Sequence, residues 1–466
     1  MSSDTDRLSV RRLASDPVTV VRRHVVGDDL LHHGSVMAVA TAASGALNYA
    51  YQVFMGRALG PEQYGVFGAL FALFYLVNVL GRGIRFSATR FPAELAGDHV
   101  HVALGHDDGP ALAAFTRGFL RQSTLFSCGV FVALVALTPL LSDFLDVSGT
   151  LFVVAIAGAA PFGLALTANF GTLQGLQWFT PLGSYKVLLA AVKLAFGVAL
   201  VVLGYGVYGA FGALVLSSVV VFGATTLHLR RRLGEAESST FESFDYRRAY
   251  RYTVPAVLTG FCLTVPTTVD VILAKHFFPA RLAGLYVAAS VLGKILVFLP
   301  MGISTALFPK VSTGETEESD GDGVTDVDAT GTSDGLDADT PTLETAATGL
   351  LTRALVYTAG IAGVGAAVYW LAPTFVLTTF YGAAYADAAP LLTWYGAAIL
   401  AFALASVVLN FELARDRNRF VYVFTALSLV EIALMWVLHG SPLQFVQVLL
   451  LGNTALFVLG LFEVYS

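Results

Sequence analysis

The stretch "GRALGPEQYGVFGAL", residues 56–70, interrupts two long apolar runs with Arg57, Gly60-Pro61, Glu62 and Tyr64. Glycine readily takes the left-handed conformation that ends a helix. Proline cannot continue that helix but is preset for the first turn of the next one. Glu62 stands near the new N-terminus and Arg57 near the old C-terminus, where each complements a helix dipole. Tyr64 is expected at a headgroup interface. The stretch therefore reads as a tight helical hairpin at a membrane surface, and each residue taken alone needs no further chemistry.

The rest of the 466 residues fits that reading. Hydrophobic residues make up 56% and charged residues 13%, with mean hydropathy +0.71. A soluble domain carries about 25% charged residues. Apolar stretches of about 20 residues, long enough for a hydrocarbon core, recur along the whole length. Breaking them at polar or Gly/Pro punctuation gives twelve expected helices: 34–55, 65–81, 120–141, 149–172, 182–204, 206–227, 252–275, 283–308, 349–372, 389–411, 420–438 and 443–462. None shows the alternation of a transmembrane β-strand. The fold class is thus all-α and integral to a membrane. The first 33 residues hold no apolar segment of signal-peptide type. Cys128 and Cys262 each fall within an apolar run and read as core residues, implying neither a disulfide framework nor a metal.

With the N-terminus placed in the cytoplasm, the inner segments hold 21 Lys and Arg and the outer loops only Arg57, Lys275 and Arg281. That asymmetry is the positive-inside pattern, and it puts both termini inside. The expected organisation is a cytoplasmic segment 1–33, an N-lobe 34–228, a cytoplasmic linker 229–251 and a C-lobe 252–466. Within the C-lobe, 310–347 carries eleven acids and one lysine. It cannot bury enough apolar surface to order itself and reads as a disordered cytoplasmic insert. Its Asp spacing is faintly like a calcium loop but lacks the closing Glu. A later stretch, "LAKHFFPARLAGLYVAAS" from Leu273, echoes "MGRALGPEQYGVFGAL" from Met55 in passing from a basic residue to Pro, Gly and an aromatic. The echo suggests two six-helix halves, parallel repeats about an axis along the membrane normal.

The residues resemble the oligosaccharide flippases of the polysaccharide-biosynthesis family, within the multidrug/oligosaccharidyl-lipid/polysaccharide exporter superfamily. The likeness rests on the opening hairpin and on four later stretches in order. These are "ATRFPAEL" (88–95), "LQGLQWFTPLGSYKVLLAAVKL" (173–194), "TVDVILAKHFFPARLAGLYVAA" (268–289) and "FYGAAYADAAPLLTWYGAAIL" (380–400). It spans residues 34 to 462, and the acidic insert departs from it. The resemblance implies two six-helix lobes around a central cavity that opens alternately to either side. The implied cargo is a sugar or oligosaccharide on a polyisoprenoid phosphate or pyrophosphate, moved for surface glycans or glycoprotein glycosylation. Membrane lipids and glycan-assembly enzymes are the implied partners, with no nucleic acid, cofactor or catalytic residue.

An anionic cargo needs positive charge at membrane depth. Lys186 and Lys193 lie seven apart in the fifth span, about two turns and so on one face. Lys294 lies well inside the eighth span. Charges at such depth face a cavity or a partner. Lys186 has the alternative of snorkelling to the nearby surface. Asp270, deep in the seventh span, is within a lysine stem of Lys294. The two read as a static charge pair or, functionally, as a pair coupling transport to an ion gradient. Arg82, Arg85 and Arg90, with Glu94, follow the second span; their forks suit phosphate oxygens, or else anionic headgroups. Pro255 and Pro266 are expected to bend the seventh span. Glu431 has no partner that can be named from sequence.

Two alternatives stand beside the flippase. A multidrug/cation antiporter of the same superfamily would place acids in the cavity, against the lysines of the N-lobe. A membrane glycosyltransferase or polymerase would need larger outer loops with paired carboxylates. No phosphate-cradling Gly-Lys-Ser loop is present, which argues against ATP as direct driver.

Overall fold

A computed structural model describes residues 17–96, 109–147, 150–233, 257, 260–261, 264–312, 343–414 and 419–465. The described residues form helices and connecting turns, with no strand among them. In chain order the helices are α1 (Pro17–Ala96), α2 (Gly109–Ala136), α3 (Thr138–Phe144), α4 (Thr150–Ala157), α5 (Ala160–Gly175), α6 (Phe179–Leu200) and α7 (Gly206–Leu233). They continue with α8 (Val269–Phe277), α9 (Ala280–Ser312), α10 (Leu343–Leu371), α11 (Pro373–Tyr381), α12 (Ala389–Ala414), α13 (Arg419–Val437) and α14 (Pro442–Tyr465). The protein is an all-helical, multi-pass membrane protein. Eight stretches among the described residues are long and apolar enough to cross a bilayer, fewer than the twelve expected. Two of the eight, Gly34–Glu94 and Phe179–Leu233, are double-length and contain sharp breaks. Tyr422–Val437 is apolar but shorter, and much of 252–268 lies outside the described residues.

The break in α1 falls at Gly60. Its φ of 71° and ψ of 169° lie outside the left-handed helical well, in a region open essentially to glycine alone. The chain folds back there. Tyr51 and Phe67 sit 16 residues apart, about 24 Å along a straight helix, yet their rings are 6.0 Å apart. The hairpin at 56–70 is therefore real, while two of its residues differ from expectation. Tyr64 is fully buried and its hydroxyl lies 3.1 Å from that of Tyr381, so packing against the other half of the chain outweighs the pull of a headgroup interface. Arg57 caps a different helix from its own: Nε donates to the Phe380 carbonyl at 2.7 Å and Nη2 to the Thr379 carbonyl, at the C-terminal end of α11. The second double-length stretch turns at Gly204 and Gly206, with φ of 91° and 52°.

Helices also run further than expected. The second arm of α1 continues to Ala96, so Arg82, Arg85 and Arg90 lie on the same helix as the second span, expected to end at 81. The cause is visible in the pattern: Ile84, Ala88 and Phe91 recur at helical spacing and are buried together with Phe115 and Phe119 of α2. The first arm begins at Pro17, inside the segment expected to precede the membrane. Helix α9 runs to Ser312 and α10 starts at Leu343, narrowing the acidic insert to 313–342, which lies outside the described residues. Cys128 is exposed on α2, on the same outer face as the exposed Leu125, and is not a core residue. Cys262 and Pro255 lie outside the described residues.

The two halves meet at the end of the molecule where Gly60, Gly204 and Pro279 turn the chain, called here the hairpin end. The largest buried cluster joins Tyr51, Phe67 and Phe211 of the first half to Tyr286, Tyr385 and Tyr395 of the second. The second arm of α1 crosses α9 in backbone contact. A methyl on Gly284 would strike the Pro61 carbonyl, and one on Gly65 would stand 2.6 Å from the Ala280 carbonyl oxygen. These two glycines carry the sequence echo, and they face each other across the seam. Smaller clusters pack within the first half around Leu173 and within the second around Phe424.

Candidate functional site

Polar contacts reinforce the seam at the hairpin end. Tyr385 donates to the Gly56 carbonyl at 2.7 Å. Lys275 donates to the Asp146 carbonyl at 3.1 Å. His276 Nδ1 lies 2.6 Å from the Phe144 carbonyl, so that nitrogen must carry the proton. The imidazole also stacks on Phe144, centroids 4.2 Å apart, with Trp436 beyond it. Arg57 adds its two bonds to α11. Apart from the stacking of His276 on Trp436, each of these contacts ties one half of the chain to the other.

Toward the opposite end, which holds Arg82 to Arg90 and Arg230 to Arg232 and is called here the arginine end, the first half carries its buried cations. Lys193 on α6 is buried between the arms of α1. Its ammonium donates to Asn48 Oδ1 and lies 4.7 Å from the ring centroid of Tyr51 and 5.9 Å from that of Phe71. An amide oxygen and two aromatic faces stabilise the charge without neutralising it. Lys186 lies two turns nearer the arginine end, half-buried, within electrostatic reach of Arg85. Arg85 donates through Nε and Nη2 to Gln174 Oε1, at 3.1 and 2.7 Å. Lys186 has no hydrogen-bond or ion-pair partner among the described residues. Two half-buried cations thus lie within electrostatic reach of each other, Arg85 bonded to a neutral amide and Lys186 to no group among the described residues. Like charges so placed repel unless an anion joins them.

The other arginines separate from that pair. Arg82 is exposed, and its stem packs on α1's neighbour at Gly260, where an added methyl would stand 2.8 Å from Arg82 Cδ. Arg90 is bound to Glu94 one turn on, Nε to Oε1 at 2.7 Å.

The second half presents acids. The seventh span is broken by a turn at 265–268, which includes Pro266, and α8 restarts at Val269. Asp270 therefore sits in the first turn of a helix, where the dipole favours a carboxylate. The expected pairing with Lys294 is not formed. Asp270 Oδ2 instead accepts from Tyr286 at 3.1 Å and Tyr395 at 2.7 Å. The Tyr395 hydroxyl, 2.9 Å from Ser290, gives its proton to Asp270 and accepts from the serine. Lys294 lies on the same stripe of α9 as Tyr286 and Ser290, within electrostatic reach of Asp270 but not in an ion pair with it. Asp270 Oδ1 and both oxygens of Glu431 are buried without a hydrogen-bond partner among the described residues, and the two carboxylates are near enough to repel. Asn48, Gln174, Ser290, Tyr286 and Tyr395 carry much of this geometry and were not singled out from sequence. A tyrosine in an apolar span reads as core, though the spacing Tyr286–Ser290–Lys294 is a one-face signal. No cluster of metal-ligating side chains is present among the described residues.

Residues 30–315 match the family model described as "Polysaccharide biosynthesis protein". The chain is 24% identical over 263 residues to the "Probable flippase AglR" of Haloferax volcanii, covering 56% of this chain and 51% of that protein. It is 29% identical over 189 residues to an uncharacterised protein of Mycobacterium tuberculosis, covering 40% and 42%. The chain thus spans about half the length of the curated relatives it matches. Among solved structures it shares its fold with the "Lipid II flippase MurJ, inward closed conformation", at TM-score 0.68 and 15% identity over 92% of this chain and 87% of that one. The "Inward-facing conformation of a multidrug resistance MATE family transporter of the MOP superfamily" aligns at TM-score 0.67 and 14% identity, covering 91% of this chain and 94% of that one.

Proposed function

We propose that this chain, which belongs to the polysaccharide-biosynthesis protein family, is a flippase of the multidrug/oligosaccharidyl-lipid/polysaccharide exporter superfamily for sugars carried on a polyisoprenoid phosphate or pyrophosphate. The observation that carries the reading is the Arg85–Lys186 pair: two half-buried like charges on different helices, Arg85 bonded to the neutral Gln174 and Lys186 without a hydrogen-bond or ion-pair partner among the described residues. A lipid phosphate is the anion such a pair suits, and arginine's fork matches its oxygens. Lys193, deeper along the same face of α6, supplies the next positive station for a head group moving inward. The lipid tail stays in the bilayer while the sugar crosses. The protein acts as a carrier and not as an enzyme, serving surface glycan assembly or glycoprotein glycosylation, alongside the enzymes that build and use the cargo.

The seam holds the hairpin end closed in this state, so the cargo is taken up from the arginine end. By its positive charge that end is the cytoplasmic one, with both termini on that side of the cell membrane. Asp270, with Glu431 in reach and Lys294 nearby, is the place for a coupling proton or cation in the second half. Arg90 does not enter the cargo path, since Glu94 engages its fork.

The test is reconstitution of the full chain into vesicles loaded on one leaflet with a polyprenyl-phosphate-linked sugar, scoring sugar exposed on the other leaflet. Wild type should translocate, and Arg85→Gln with Lys186→Met should lower the rate at least tenfold while the protein remains monodisperse. Unchanged rates in the double variant would reject the phosphate cradle. No translocation by folded wild type under any imposed ion gradient would reject the flippase.

A further inference from the structure

A second basic site lies away from the lobe interior, in a cavity of about 370 Å³ between α2 and α7. Arg117 and Arg121 stand one turn apart on α2, and Arg230 reaches in from the last turn of α7. The same cavity is walled by Leu120, Leu125, Phe222, Leu229 and Leu233, and no carboxylate among the described residues lines it. The volume falls at the lower end of the roughly 300–1,000 Å³ of small-molecule sites.

The charges and the apolar walls occupy different depths. Helix α2 leaves the arginine end and α7 returns to it, so Arg117, Arg121 and Arg230 share a level near that surface. Leu125 and Phe222 lie further in. Eight residues separate Arg117 from Leu125, about 12 Å of helix. Two hydroxyls add polar capacity beside the arginines. Thr116 lines the cavity and its Oγ1 is buried with no hydrogen-bond partner among the described residues. Thr226 accepts from Asn169 Nδ2 at 2.9 Å, which leaves its own proton to donate elsewhere. Most buried threonines in these helices bond the carbonyl a turn before, as Thr225 and Thr172 do. Thr116 does not, and so presents an unmet polar group beside three cations.

We propose that this groove binds an anionic phospholipid of the surrounding membrane. Arg117, Arg121 and Arg230 hold its phosphate, Thr116 donates to a phosphate or glycerol oxygen, and one acyl chain runs along Leu125 and Phe222. Charge selects the head group, and the direction from basic to apolar matches a lipid entering from the arginine-end leaflet. A zwitterionic lipid presents the same phosphate together with a cation that three arginines repel. The site is separate from the Arg85–Lys186 pair, so it stands whether or not that pair binds cargo.

The experiment titrates detergent-solubilised full-length protein with phosphatidylglycerol and, separately, phosphatidylcholine, counting bound lipid by native mass spectrometry. Wild type should prefer phosphatidylglycerol. The exposed pair Arg121→Gln/Arg230→Gln should lose roughly 30-fold in phosphatidylglycerol affinity, two basic contacts' worth near a membrane surface. Arg121→Lys/Arg230→Lys should keep most of it. Leu125→Trp, at an exposed position, fills the chain lane with the charges intact and should lower binding of both lipids, so the proposal remains testable even where the glutamine pair aggregates. Equal binding of the two lipids by wild type, or full retention in Arg121→Gln/Arg230→Gln and in Leu125→Trp, overturns it. Inorganic phosphate alone binding as tightly as phosphatidylglycerol overturns the lipid assignment in favour of a free anion.

Discussion

Arg57→Ala tests whether the closed hairpin end is one of two states. The side chain bridges the halves by donating to the carbonyls of Thr379 and Phe380, which end α11. A hydrogen bond from a charged donor contributes about 1.5–3 kcal/mol when buried. Arg57 is exposed, so each bond is nearer 1 kcal/mol. Losing both weakens the closed state by about 2 kcal/mol, roughly a 30-fold change in the closed-to-open ratio. A protein that is about 99% closed would become about 75% closed, a change large enough to see directly.

The measurement is the distance distribution between spin labels on Tyr205→Cys and Leu371→Cys, exposed positions at the hairpin end of each half, with both native cysteines replaced by serine. Wild type should give one dominant short distance. Arg57→Ala should add a longer component near a quarter of the total, and Arg57→Lys, which keeps charge but not the fork, should fall between. A distribution unchanged by Arg57→Ala would mean that the capping contacts do not bear on any opening, and the two-state reading of the seam would fail with it.

The remaining predictions concern single contacts. Gly284→Leu places Cβ on the Pro61 carbonyl, so the same label pair should report an open hairpin end in nearly all molecules. Tyr395→Phe removes the shorter of the two bonds to Asp270 and the acceptor of Ser290; thermal unfolding in detergent should reveal a loss of about 2 kcal/mol. Arg90→Ala breaks an exposed pair with Glu94 one turn away, and both stability and sugar translocation should stay within about 0.5 kcal/mol of wild type.

What could be read in the sequence follows from the range of the interactions. A span of about 20 apolar residues declares itself locally, and so does the Gly60-Pro61 break, because a lipid core tolerates neither an unpaired backbone nor a misplaced turn. Arg57 and Tyr64 looked like ordinary interfacial residues because their partners, Thr379 to Tyr381, lie more than 300 positions away. Axial arithmetic put Lys294 within reach of Asp270, yet the two tyrosines took the carboxylate, since rotation about α9 and α12 decides which group arrives and spacing along one helix does not encode it. Ending the second span at 81 placed Arg82, Arg85 and Arg90 after it, whereas the buried rhythm of Ile84, Ala88 and Phe91 carries the helix on to Ala96. Buried charges therefore mark a site from sequence, whereas the neutral groups that settle their geometry do not. The distinction has a consequence for the two halves. In the first, Lys193 is held by an amide and aromatic faces, and Arg85 by an amide, so positive charge is kept at depth without a counter-ion among the described residues. In the second, tyrosine hydroxyls hold Asp270 while Glu431 is left unbonded, so negative charge or a proton is kept there instead. A carrier for an anionic cargo driven by a cation needs that division, with opposite charges housed in halves that share one seam.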